Sequence, residues 1–173
     1  MKNKKLLLVL ILGLVAVFVV VIYLSGFQKN NKETSSFQSP TPTKSQLKTF
    51  QSKNFDFIVN LPHEFEVKEG LSYIEFHGKG GTIDFGRNDA SGDGDLKHFL
   101  INFDEKNEIK DISEMRDLKI NSFPAISRVE LRGKIYAKLF YIYVDDWVYV
   151  FSTDSKELYD DLEKIVQSFR YTP

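Results

Sequence analysis

The part of the sequence that most resembles a ligand-binding loop is acidic and rich in glycine. In residues 88–95, oxygen-bearing side chains stand at alternate positions and a glycine follows them: Asp89, Ser91, Asp93 and Gly94. This spacing matches the first half of a calcium loop, but Leu100 occupies the twelfth position, where a bidentate glutamate is needed. The alternative is an acidic loop that caps a helix starting near Asp95, because carboxylates are favoured at helix N-termini.

The three histidines show no spacing typical of metal ligands. They are His63, His77 and His98. His63 and Glu64 begin like a zincin helix, but Val67 stands where the second histidine belongs. We therefore interpret the histidines as unrelated side chains and predict no metal-binding residue.

Motifs for nucleophilic or phosphate chemistry are missing from the sequence. The chain has no cysteine, no G-x-S-x-G elbow and no phosphate-binding G-x-x-x-x-G-K-[ST] loop. The glycine pairs at 78 and 80 and at 92 and 94 lack the third glycine of a dinucleotide loop, and we interpret them as turns. The sequence predicts no catalytic and no cofactor-binding residue, although an enzyme built from distant residues is a further alternative.

An aromatic hairpin is the remaining candidate for a binding surface. Its residues are Tyr136, Phe140, Tyr141, Tyr143, Trp147, Tyr149 and Phe151. Tyrosine and tryptophan serve wet interfaces well, but both faces of these two strands are apolar, which is typical of a hairpin covered on both sides. We favour the core interpretation. Charged side chains on the neighbouring strands are predicted to face solvent: Lys119, Arg128, Glu130 and Arg132.

The N-terminal segment predicts where these elements lie in the cell. Residues 6–27 could form a helix of roughly 33 Å, enough to cross a hydrocarbon core of about 30 Å. A cleaved signal peptide is the alternative, but its apolar region is usually shorter and ends in an A-x-A-like site. Three lysines in residues 1–5 favour a cytoplasmic N-terminus by the positive-inside rule. The sequence therefore predicts an uncleaved transmembrane signal anchor.

Between the anchor and the rest of the chain, residues 28–46 are polar and contain a Pro-Thr-Pro step. We predict a flexible linker that spans about 25 Å as a random coil. Residues 47–173 hold 17 of the 23 basic and 23 of the 24 acidic residues, a net charge of −6. This balance argues against nucleic acid and against anionic lipid head groups as partners.

The pattern of residues 47–173 predicts an α+β domain. Alternating apolar residues predict strands near 55–61, 74–76, 83–85, 118–120, 125–131, 135–144 and 147–152. Helical spacing appears twice, at Leu96, Phe99, Leu100 and Phe103 and again at Leu158, Leu162, Ile165, Val166 and Phe169. Asp154 and Glu157 resemble a capping box for the second helix. We expect a curved antiparallel β-sheet packed with a mid-chain helix and a C-terminal helix.

The order of these elements resembles the PsbP-like domain. The resemblance rests on an alternating strand ending at Pro62, a strand entering Phe123-Pro124-Ala125, a long hairpin, and a last helix followed by Ser168-Phe169-Arg170-Tyr171. It covers nearly all of residues 47–173. PsbP-like domains often have a tryptophan shortly after the proline, where Phe65 stands here. The resemblance implies a scaffold or binding role, since the family has no shared catalytic site.

Together these features predict a membrane-anchored, extracytoplasmic accessory or binding module without catalytic activity, which steadies an envelope complex. Its partners would be the lipid bilayer, through residues 6–27, and another envelope protein. A calcium-responsive module that uses the Asp89–Asp95 loop is the first alternative. An enzyme whose site is not visible in the sequence is the second.

Overall fold

The computed structural model describes residues 46–173 of the chain. The predicted cytoplasmic tail, the transmembrane anchor and all but the last residue of the predicted linker lie outside the described residues. Within residues 46–173, no helix is both long and apolar enough to cross a membrane.

Ten strands and two α-helices make up this part of the chain. The strands are β1 (Leu47–Gln51), β2 (Phe57–Pro62), β3 (Glu66–Glu69), β4 (Ile74–Gly78), β5 (Gly81–Asp89), β6 (Ile112–Ile120), β7 (Phe123–Arg132), β8 (Ile135–Val144), β9 (Trp147–Thr153) and β10 (Arg170–Tyr171). The helices are α1 (Leu96–Lys106) and α2 (Tyr159–Gln167). The α+β class and both helices are confirmed.

The strands form two antiparallel sheets rather than the single sheet predicted. Seven strands follow the order β3-β4-β5-β9-β8-β7-β6, and a smaller sheet follows β1-β2-β10. Alternation in β2 correctly predicts that Phe57, Val59 and Leu61 face the core. It could not predict which strands pair with β2, because period-2 patterning marks a buried face and not a neighbour.

One side of the seven-stranded sheet, here called the aromatic face, packs against β2 and α2. The cluster there is rich in stacked rings, and Phe57 alone contacts the rings of Phe85, Tyr149, Phe151 and Phe169. The predicted apolar stripe of the C-terminal helix is buried on this face, confirming the prediction. Residues 170–171 then pair with β2, so the chain end closes a sheet edge as expected.

The predicted capping box at the start of the C-terminal helix is wrong. Instead, Lys156–Leu158 form a 3-10 turn that leads into α2. The Ser155 hydroxyl lies 2.6 Å from the carbonyl oxygen of Gly80 and 2.7 Å from the Glu157 carboxylate. Docking against the β4–β5 turn therefore sets where the helix begins, which a local capping pattern does not reveal.

The opposite side of the seven-stranded sheet, here called the helix face, is covered by α1. Leu96, Phe99 and Leu100 are buried against residues of β7, β8 and β9, as the spacing predicts. Asp95 caps α1, since its carboxylate accepts a hydrogen bond of 2.9 Å from the backbone N–H of His98. The prediction of a helix cap in the acidic loop is therefore confirmed.

Candidate functional site

A buried ion network lies beneath α1 on the helix face. Arg128 and Glu130 were predicted to face solvent, but their exposed fractions are 2% and 0%. The reason is position in the sheet. β7 lies between β6 and β8, and α1 places Asp104 over the side of β7 that carries both residues. Their mixed charges resemble a solvated face in the sequence, whereas the fold pairs them with a third charge from α1.

The polar groups of the ion network lie within hydrogen-bond distance of one another. The Arg128 guanidinium donates from Nε to Glu130 Oε1 at 2.7 Å and from Nη1 to Asp104 Oδ2 at 2.7 Å. Tyr141 donates its hydroxyl to Glu130, and Arg132 donates from Nε to Glu130 Oε2 at 3.0 Å. Each buried charge thus has an opposite charge and hydrogen bonds, the arrangement that makes a buried ion pair tolerable.

Burial and charge shift the pKa values of two members in the directions this geometry requires. Burial alone would lower the pKa of Arg128, but the hydrogen bond with Asp104 and the charge of Glu130 raise it above its ordinary value. Burial, together with the Glu130 carboxylate, raises the pKa of the Tyr141 phenol. Arg128 therefore stays charged and Tyr141 stays neutral over the physiological pH range.

An apolar groove runs beside this network, between α1 and strands β6 and β7. It has two adjoining sections, with cavity volumes of about 320 and 410 Å³ that share Lys97, Asp117 and Ile126. Two large apolar side chains in the first section are strongly exposed, with Ile101 at 63% and Met115 at 60%. The groove therefore exposes apolar surface on the helix face.

A surface ion pair crosses the groove where the two sections meet. Lys97 Nζ of α1 lies 3.0 Å from Asp117 Oδ2 of β6, and both side chains are more than two-thirds exposed. Pairs this exposed contribute little to stability and exchange readily with water. The pair therefore divides the groove without closing it.

A β-bulge places Met115 on the rim of the groove. The register of β6 against β7 shifts between Ser113 and Arg116, and Glu114 adopts a φ of 51°. Bulges bend a strand locally and re-aim its side chains. In the sequence Met115 sits in a charged stretch and shows no periodicity, which explains why its role was not predicted.

The acidic loop does not bring its carboxylates together. Asp89 accepts a hydrogen bond of 2.9 Å from the Ser91 backbone N–H, which lowers the pKa of Asp89, and Asp93 accepts one of 2.5 Å from the Asn102 amide. The bond from His98 lowers the pKa of Asp95 in the same way. Within residues 46–173, no group of three or more His, Cys, Asp and Glu side chains could hold a metal ion.

The histidines lie in separate parts of the fold. His77 on β4 has its Nδ1 3.1 Å from the Thr82 hydroxyl, and the side chain of His98 contacts Asp95 at the start of α1. His63 lies just after β2, where its backbone N–H bonds to the carbonyl oxygen of Gln46.

Most of the aromatic hairpin is core, as predicted. Phe140, Tyr141, Tyr149 and Phe151 are at most 1% exposed. At the hairpin ends Tyr136 and Trp147 are 45% and 36% exposed and do not belong to the core. The Arg87 guanidinium lies 4.2 Å from the centre of the Trp147 ring, which accounts for the position of the tryptophan.

No protein-family model matches this sequence, and no curated protein matches it. Among solved structures, the chain is similar to cyanobacterial PsbP from Synechocystis sp. PCC 6803, with a TM-score of 0.49 and 9% identity over 73% of this chain and 93% of that one. It is also similar to PA94 from Pseudomonas aeruginosa, a protein of unknown function, with a TM-score of 0.44 and 11% identity over 74% of this chain and 99% of that one. No function is transferred from either protein.

Proposed function

We propose that this chain is an accessory binding module without catalytic activity, held outside the membrane by its N-terminal segment. The proposal takes its topology from the sequence, with residues 1–5 in the cytoplasm, residues 6–27 in the bilayer and residues 28–46 as a linker. In this arrangement the domain of residues 47–173 is free to meet other envelope proteins and steadies a complex of them.

The observation that carries the binding role is the groove on the helix face. Ile101 and Met115 expose apolar surface at its rim, beside the concave section that they line together. Exposed apolar surface beside a concave site marks an interaction surface in soluble domains. The occupant that we propose is an apolar segment of another envelope protein. Ile101 and Met115 would contact this segment from opposite sides of the groove.

The composition of the groove supports binding rather than catalysis. None of the described residues that line it is Ser, Thr, Cys or His, and its carboxylates, Asp95, Asp104 and Asp117, are each bonded to a neighbouring side chain. Its charged side chains are already paired, Lys97 with Asp117 and Arg128 with Asp104. The buried Arg128–Asp104 pair holds α1 against β7, and both pairs leave the apolar surface of the groove free for a ligand.

The test is site-specific photo-crosslinking of the full chain in its own cells. A photoreactive residue replaces Met115 in the groove or, as the matched control, Ile135, which is 56% exposed but does not line the groove. We expect a discrete protein adduct from position 115 and none of that mass from position 135. Ile101→Asp should remove the adduct while the chain remains folded. Equal adducts from both positions, or an adduct that survives Ile101→Asp, would contradict the proposal.

A further inference from the structure

Strand β6 forms an open edge of the seven-stranded sheet, and only its second half pairs regularly with β7. Among the described residues β6 pairs only with β7, so its other side faces solvent. The bulge between Ser113 and Arg116 disrupts the first half, as bulges commonly do on edges that must not pair. From Arg116 to Ile120 the register with β7 is unbroken. Five regular residues of an exposed edge are thus available to another strand.

The turn after β6 determines which backbone groups point outward. Asn121 and Ser122 have φ values of 47° and 77°, which is a type I′ turn and makes Ile120 and Phe123 a hydrogen-bonded pair. Pairs alternate along antiparallel strands, so Lys119 and Pro124 form a pair without such bonds. The missing N–H of proline agrees with this assignment. The backbone N–H and C=O groups of Lys119 therefore point away from β7. The same holds for those of Asp117, two residues earlier.

We infer that β6 of a second copy of this chain pairs antiparallel with this edge, with Leu118 of one copy opposite Leu118 of the other. This register joins the outward backbone groups of Asp117 in each copy to those of Lys119 in the other. It also sets their opposite charges side by side, twice, about a two-fold axis. The two seven-stranded sheets become one continuous sheet across the dimer.

Charge selects this register among its neighbours. Both side chains are exposed and lie on the same face of the strand, so they meet across the axis. If the two-fold axis passes through Asp117, the Asp117 side chains of the two copies stand opposite each other. If it passes through Lys119, the two Lys119 side chains do. Like charges directly opposite in a sheet are destabilising. The edge is therefore self-complementary in one register only.

The opposite edge of the sheet, at β3, is shorter, with four residues from Glu66 to Glu69. There Gly70 N–H bonds to the carbonyl oxygen of Tyr73, so the outward backbone groups belong to Val67 and Glu69. Joining two copies through them places Lys68 opposite Lys68. The Glu69 carboxylate is also occupied by Ser52 and by the backbone N–H of Lys53.

Cysteine crosslinking of the full chain in mild detergent tests the register, since the chain has no cysteine of its own. In the proposed dimer the two Leu118 Cα atoms lie about 4.5 Å apart, within the range of a disulfide. We expect Leu118→Cys to form a disulfide-linked dimer on oxidation. Asp117→Cys and Lys119→Cys alone are the matched controls, because each faces its own counterpart diagonally at about 7–8 Å and should not link.

The double variant Asp117→Cys/Lys119→Cys should link through directly opposite positions. It also carries the test if Leu118→Cys fails to fold, since Leu118 is half-buried and the other two side chains are exposed. Equal linkage of all single variants would show random collision and overturn the register. Linkage of neither Leu118→Cys nor the double variant would overturn the dimer.

Charge reversal gives an independent readout by sedimentation of the same full chain. Lys119→Asp places Asp opposite Asp twice and should weaken dimerisation about tenfold or more. Asp117→Lys/Lys119→Asp restores opposite charges across the axis and should restore the dimer. The control variant Lys97→Gln removes only the contact between Lys97 and Asp117 within one copy, so dimerisation should not change. A chain that sediments as a monomer at every concentration would refute the inference. It would not affect an adduct of Met115 with a different protein. An adduct with the mass of two copies of this chain reports the β6 pairing instead, so the two proposals fail separately.

Discussion

The two faces of the seven-stranded sheet are built on different principles. The aromatic face is closed by β2 and α2 over a continuous cluster of rings and aliphatic side chains. The helix face has a smaller apolar cluster, a buried ion network and an open groove, all beneath or beside α1. The first arrangement maximises buried apolar area, which is the main source of stability. The second holds a helix beside a strand and leaves apolar surface free, as a binding site requires.

Removal of residues 156–173 should have the largest effect, because it uncovers the aromatic face. Leu158, Leu162, Ile165, Val166 and Phe169 are at most 3% exposed. At about 1.5–3 kcal/mol for each buried side chain, the loss approaches the whole stability of a domain of this size. We expect the chain that lacks residues 156–173 to show no cooperative thermal transition by circular dichroism. A cooperative transition at an unchanged temperature would mean that α2 is peripheral.

On the helix face, Arg128→Met should have the next largest effect. It leaves the fully buried Glu130 carboxylate without its main counter-charge, and the free energy of unfolding should fall by about 3–5 kcal/mol. Arg128→Met/Glu130→Leu should recover part of that loss, because it removes the buried unpaired carboxylate of Glu130 but leaves Asp104 and the Tyr141 hydroxyl without these partners. Urea denaturation measures both. A double variant no better than the single one would show that the network contributes more than mutual neutralisation.

Tyr141 makes the helix face sensitive to alkaline pH. Burial and Glu130 raise the pKa of its phenol in the folded protein, so the neutral phenol is favoured there. Its contribution is fully present below the unfolded pKa of about 10 and is lost as pH rises toward the folded pKa. Between about pH 9 and 11, the free energy of unfolding should fall more steeply for the native chain than for Tyr141→Phe, by up to about 1.4 kcal/mol per pH unit. Tyr136→Phe, at an exposed phenol, should keep the steep slope.

Asp95 should give the smallest effect, since it acts only at the end of α1. Asp95→Ala should lower the melting temperature slightly at neutral pH, whereas Asp95→Asn should not, because asparagine caps helices equally well. The hydrogen bond from His98 lowers the pKa of Asp95, so its charge stabilises above the unfolded pKa of about 3.9, and this is lost as pH falls through the folded value. Asp95→Asn should lack that acid dependence.

The same loop distinguishes a helix cap from a cation site. Each of its carboxylates is engaged in a local hydrogen bond, so millimolar calcium should not change the melting temperature of the full chain. A rise of several degrees that disappears in Asp89→Ala and in Asp93→Ala would favour the calcium-responsive alternative.

Much of the fold could be predicted because its determinants are local. The 3.6-residue stripe of Leu96, Phe99 and Leu100 predicts α1 and its buried side, and Asp95 predicts where it starts. The apolar runs on either side of Asp145 and Asp146 predict the β8–β9 hairpin, and both residues have the positive φ of a tight turn. Periodicity and turn chemistry act over a few residues, so the sequence alone determines them.

The candidate site could not be predicted, because its residues meet only through tertiary structure. Arg128 and Glu130 alternate with apolar residues, as charged side chains on a solvent-exposed strand face do. The sequence does not show that Asp104, 24 residues away from Arg128, lies over them. The groove needs the separation between α1 and β6 and the bulge at Met115, neither of which has a local signal. The amino-acid sequence by itself determined seven of the strands, both helices with their buried sides, and the α+β class. Only the tertiary structure decided the division into two sheets, the burial of the charges and the open groove, because each depends on which distant strands and helices pack together.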